Sequence, residues 1–79
     1  MKSLKIGNAL KLARTRSGFT QRELAERVGV TRQTIGLIEA DRYNPTLRLC
    51  LLLARETDSS LDELFWIEGD DDEKNLPRG

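Results

Sequence analysis

Between residues 19 and 39 the apolar positions come in two short bursts at helical spacing, Leu24, Ala25 and Val28, then Ile35 and Ile38, with Gly29 between them. Steps of three and four place each set on one face of a helix. The pattern predicts helices over 21–28 and 32–40. Their ends are marked as well. Thr20 followed three positions later by Glu23 makes a capping box, and Phe19 with Leu24 stands at the positions of a hydrophobic staple. Thr31 is an N-cap for the second helix, with Val30 and Ile35 repeating the staple across it. Gly29 can take the left-handed conformation that ends a helix and opens a sharp turn.

The rest of the chain reads as scaffold for this pair. Ile6, Leu10, Ala13 and Ser17 share one face of a helix expected over 4–17, with Gly18 as its stop and Lys11, Arg14 and Arg16 on or near its polar side. Asn44-Pro45 marks a loop, after which a fourth helix is expected over 46–57. Ser60 with Glu63 is a second capping box, opening a short fifth helix through about residue 66. From Gly69 onward the chain is too polar to bury anything. The expected organisation is one domain over 1–67 and an acidic, disordered tail over 68–79. The expected fold class is all-α, five helices around one core.

The fourth helix holds more leucine than one face needs. At 100° per residue, Leu47, Cys50, Leu51, Leu53 and Ala54 form one broad inward face, and Leu49 and Leu52 fall on the other side. With Phe65, Trp66 and Ile67 they make an apolar surplus of the kind that marks a partner surface. A symmetric homodimer using Leu49, Leu52, Phe65, Trp66 and Ile67 is the expectation. The alternative is that Trp66 and Ile67 fold back over the same leucines within one chain.

Composition narrows the function. The chain has 79 residues, one cysteine and no histidine, which excludes an internal disulfide and the common zinc-ligand spacings. Cys50, among leucines, reads as a small core hydrophobe. Nothing resembles a phosphate loop or a nucleophile with its base, so no cofactor, no metal and no enzymatic activity are expected. No apolar run approaches the 18 residues of a membrane span, and a soluble cytoplasmic protein is expected. The formal net charge is zero, yet residues 1–55 carry 11 Lys and Arg against 4 acids, and residues 56–79 carry 2 against 9. A basic body joined to an acidic end is a pattern often met where nucleic acid is bound; an ordinary solvated surface is the alternative.

Counting Gln21 as one, Ala25 falls at five, Gly29 at nine, Ile35 at fifteen and Ile38 at eighteen, the spacing of a helix-turn-helix. Residues 6–66 resemble the helix-turn-helix domain of the phage repressor and Cro type, also called the xenobiotic-response-element family. The resemblance is carried by Phe19 to Ile35, by Ile38-Glu39-Ala40-Asp41-Arg42-Tyr43-Asn44-Pro45-Thr46-Leu47 and by Ser60-Leu61-Asp62-Glu63-Leu64-Phe65. It implies a lambda-repressor-like domain of a bacterium or archaeon that binds double-stranded operator DNA as a dimer, with the third helix in the major groove.

Carried over by position, Arg32, Gln33 and Leu37 would read bases. Arg32 suits guanine and Gln33 suits adenine, each pair being worth roughly 1–3 kcal/mol of discrimination, and Leu37 suits a thymine methyl. Gln21, Thr31, Thr34, Gly36, Arg42 and Tyr43 would meet the DNA backbone or groove. Arg14 and Glu39 match a salt bridge between the first and third helices in similar members. Asp58 stands where the family commonly has glycine. A second reading is an antitoxin that neutralises a protein partner and binds its own operator; a controller of restriction-modification genes is a third.

Overall fold

The structure is a computed structural model, described here for residues 3–70. Strand β1 (Leu4–Asn8) precedes helices α1 (Leu10–Arg16), α2 (Gln21–Val28), α3 (Arg32–Glu39), α4 (Leu47–Glu56) and α5 (Leu61–Leu64), and strand β2 (Phe65–Asp70) follows. The expectation of an all-α fold is therefore corrected. β1 and β2 pair antiparallel, Ile6 opposite Ile67, Gly7 opposite Trp66 and Asn8 opposite Phe65, with an irregularity between Lys5 and Ile6. What read as the first turn of a helix alternates Leu4 and Ile6 around polar Lys5, with Gly7 weakening any helix, and Phe65-Trp66-Ile67 favours strand. Gly7 is fixed by this pairing: a Cβ there would stand 2.5 Å from the Trp66 indole nitrogen.

The helices begin where their caps predict. Thr20 and Ser60 each form a complete capping box, with Glu23 and Glu63 reaching back, while Thr31 and Thr46 each accept from the backbone amide three residues on. Gly29 ends α2 at φ 79°, and its amide and that of Val30 both donate to the Ala25 carbonyl. Asp58 adopts φ 51° after α4, a left-handed backbone that glycine would take without strain.

One core serves all five helices, built on Leu10, Leu24, Ile35, Ile38, Leu53 and Leu64. Thr57 is buried with them, its hydroxyl donating to the Leu53 carbonyl at 2.8 Å. α4 is rotated from its sequence reading: Leu53 and Ala54 face inward as expected, but Leu49 and Leu52 join them in place of Leu47 and Leu51. Leu49, Leu53 and Ala54 are buried and Leu52 packs against the core, whereas Leu47 and Leu51 are exposed. Arg48 and Arg55, seven residues apart on one stripe with Leu51 between them, set the outward direction. Leu49 thus belongs to the core and not to an outer surface. Phe65 also packs on the core, Trp66 lies over Gly7, and Ile67 remains exposed. Of the expected tail, residues 68–70 form the end of β2, and 71–79 lie outside the described residues.

Candidate nucleic-acid interface

α2 and α3 meet at the Gly29 turn, and the outer side of α3 carries the chemistry. Gln21, Arg32, Gln33, Gly36 and Leu37 line one shallow open hollow. Arg32 and Gln33 are exposed at its N-terminal end, and Gly36 and Leu37 are half-buried along it. A Cβ at Gly36 would rest 3.7 Å from the Gln21 amide nitrogen, an ordinary contact, so no neighbour within the chain demands glycine here.

The hollow is held from behind by a buried charge pair. Arg14 Nε donates to Glu39 Oε2 at 2.7 Å, with the two side chains 13% and 6% exposed. Arg14 Nη1 also donates to the Phe19 carbonyl at 2.8 Å, and Gln21 Nε2 donates to Glu39 Oε1 at 3.0 Å. One carboxylate thereby joins α1, the first residue of α2 and the last residue of α3. Gln21 is held at the rim of the hollow rather than left to sample rotamers, which would cut the entropy lost by any contact it makes there.

The N-terminus of α3 is closed by its own threonines. Thr31 Oγ1 accepts from the Thr34 amide at 3.2 Å and lies 3.0 Å from the Thr34 hydroxyl. Arg42 is exposed, and its amide donates to the Leu37 carbonyl at 2.8 Å, tying the following loop to the end of α3. Tyr43 is not brought to the hollow. It lines a separate groove with Leu4, Ile6 and Phe65.

Asn8 escaped the sequence reading. Its side-chain amide donates to the Ile38 carbonyl at 3.1 Å and to Asp41 Oδ1 at 2.6 Å, while its oxygen accepts from the Leu10 amide at 3.1 Å. It fastens β1 to the C-terminal end of α3. An asparagine just before an apolar helix start was the available signal.

A model of the helix-turn-helix family matches residues 10–64, the span from α1 through α5. The chain belongs to the helix-turn-helix family of the Cro and repressor type. It is similar to an HTH-type transcriptional regulator of Bacillus subtilis, YgzD, at 41% identity over 61 residues, covering 77% of this chain and 92% of that one. A second regulator, MJ0272 of Methanocaldococcus jannaschii, is 38% identical over 64 residues, covering 81% and 97%. Among solved structures, the restriction-modification controller protein C.AhdI of Aeromonas hydrophila superposes with a TM-score of 0.64 at 33% identity, covering 68% of this chain and 82% of that one. Antitoxin HipB of Escherichia coli matches more narrowly, 43% identical over 42 residues and covering 48% of its length. DNA-binding transcription regulation is the function of this family. Among the described residues no helix is long and apolar enough to cross a membrane.

Proposed function

We propose that this chain acts as a dimeric repressor, each protomer laying α3 in the major groove of one half of a near-palindromic operator. The reading rests on one observation above all: Arg32, Gln33 and Leu37 of α3 converge with Gln21 of α2 on a single outward hollow. Arg32 and Gln33 supply sequence readout through paired hydrogen bonds to guanine and adenine, and Leu37 meets a thymine methyl. Gln21, Thr31, Thr34 and Gly36 contact backbone or groove wall, and Arg42 and Tyr43 follow the phosphates from the adjoining loop. Two such helices sit about 34 Å apart along the duplex.

The antitoxin reading is favoured by the partial match to HipB and by exposed apolar side chains beyond those of the recognition face. Under that reading a protein partner covers them, and a co-purifying second chain marks it.

A selection from random-sequence duplex at moderate salt tests the proposal, run with wild type and with the Arg32→Ala, Gln33→Ala double variant. Wild type is expected to recover an inverted repeat that the variant binds roughly 30-fold or more weakly, the effect of losing two base pairings. Recovery of no preferred sequence by wild type refutes it.

A further inference from the structure

Helix α3 ends in a turn that glycine makes most easily, yet glycine does not stand there. The Asp41 amide donates to the Ile38 carbonyl at 3.0 Å and the Arg42 amide to the Leu37 carbonyl at 2.8 Å, with Asp41 in the left-handed region at φ 60°. α2 ends instead on Gly29 at φ 79°, where no side chain is strained. After α3 the chain accepts a backbone that other residues rarely adopt, and in doing so keeps a side chain at the turn. That side chain is used: Asp41 Oδ1 accepts from the Asn8 side-chain amide at 2.6 Å.

Asn8 is a fixed donor. Its backbone pairs opposite Phe65 in the sheet, its side-chain oxygen accepts from the Leu10 amide at 3.1 Å, and its amide nitrogen also donates to the Ile38 carbonyl at 3.1 Å. The Ile38 carbonyl therefore takes two donors, Asn8 and the Asp41 backbone. Phe65 packs on the core and the Ala9 amide donates to the Leu64 carbonyl at 2.9 Å, so the junction of β1 and α1 is itself tied down. Asp41 is held twice over, through its backbone by the end of α3 and through its carboxylate by Asn8. The next residue is the exposed Arg42.

We infer that Asn8 is a positioning residue for DNA binding, acting through the Asp41 carboxylate to fix the direction in which Arg42 leaves α3 to meet a phosphate. The inference rests on the phosphate role proposed above for Arg42. It accounts for how an exposed loop residue makes such a contact with little loss of conformational freedom on binding. Held by Asn8, the carboxylate is also directed at β1 and away from the phosphate its neighbour meets, where a second negative charge repels.

Asp41→Gly and Asp41→Asn form the test pair. Both remove the same charge and both new residues tolerate the left-handed backbone, so they differ chiefly in that asparagine offers Asn8 an acceptor oxygen and glycine offers none. Asn8→Ala is less clean, because it also strips a donor from the Ile38 carbonyl and an acceptor from the Leu10 amide. Fluorescence anisotropy on random-sequence duplex over a salt series is the readout, since phosphate contacts need no base match and the result then stands apart from the operator selection. Circular dichroism checks that both variants are folded at the temperature used. Asp41→Gly is expected to bind at least about threefold more weakly than Asp41→Asn, with a shallower salt dependence. Adding Arg42→Ala is expected to weaken Asp41→Asn at least about threefold more than it weakens Asp41→Gly, because the two positions are coupled. A bond that only stabilised the fold would shift thermal midpoints and leave the two folded variants equal in affinity and slope, and that result overturns the inference. The reading of Arg42 fails differently. If Arg42→Ala leaves the wild-type slope unchanged, the loop is off the phosphates and the inference falls with it; a slope lost in Arg42→Ala but equal in Asp41→Gly and Asp41→Asn strikes the positioning role alone.

Discussion

At the scale of single residues, Glu39 has the most to lose. Its carboxylate accepts from Arg14 and Gln21 with only 6% of the side chain exposed, so truncation leaves a guanidinium, itself 13% exposed, with no counter-charge. Removing one partner of a buried pair is far more costly than replacing both by apolar groups of similar volume. Glu39→Ala is expected to destabilise by about 3 kcal/mol, and the Arg14→Met, Glu39→Leu double variant by less. The double variant still orphans Gln21 Nε2 and the Phe19 carbonyl, so it does not return to wild-type stability. Urea unfolding of the variants beside wild type checks the order; equal midpoints for Glu39→Ala and the double variant refute it. Cys50 shows a milder version of the same physics. Burial pushes its thiol above the ordinary value, consistent with a side chain that packs rather than reacts.

At the scale of elements, the capping boxes make helix stability depend on acid. The carboxyls of Glu23 and Glu63 are held below their ordinary value of 4.5, chiefly by the backbone amides of Thr20 and Ser60 that donate to them. A carboxyl depressed on folding stabilises the native state above its unfolded value and loses that contribution as pH falls through its folded value. The thermal midpoint should therefore drop below pH 4.5 more steeply in wild type than in a Glu23→Gln, Glu63→Gln variant, whose amides accept at every pH. Parallel profiles from neutral pH to pH 3 refute this. These same caps explain what was legible in the chain. Thr20, Gly29, Thr31 and Ser60 are local chemistry, and they place α2 and α3 and the start of α5 within a residue. β1 was not legible because its partner lies some sixty positions away in β2, and Leu-Lys-Ile-Gly-Asn taken alone extends the apolar period of α1. On α4 the leucine count misled, since a helix with apolar residues most of the way round is oriented by its few charges, here Arg48 and Arg55. That Arg32, Gln33, Gly36 and Leu37 share one outward side was readable because one helix presents them, whereas Asn8 acts across 30 and 33 positions.

For the whole molecule, zero net charge and DNA binding are reconciled by where the charges lie. Residues 1–55 hold 11 basic and 4 acidic side chains, and several of the basic ones are already engaged: Arg14 by Glu39, Arg22 by Glu26, Arg27 by Glu56. Arg32 and Arg42 are exposed near the two ends of α3. If phosphate contacts are confined to the side chains at the ends of α3, few are made per protomer, and the response to salt is then moderate for a DNA-binding dimer. Each neutralised phosphate contributes about −0.9 to the slope of log K against log salt. If Arg42 meets phosphate in both protomers, Arg42→Ala lowers the magnitude of that slope by about 2 and weakens specific and random duplex by similar factors. Arg32→Ala should instead weaken the selected sequence far more than random duplex, because a base contact carries discrimination that a phosphate contact lacks. Fluorescence anisotropy with both duplexes over a salt series separates the two. An Arg42→Ala slope equal to wild type would move the loop off the phosphates, while equal losses on both duplexes for Arg32→Ala would reduce that residue to a backbone anchor and leave Gln33 as the principal reader of bases on α3.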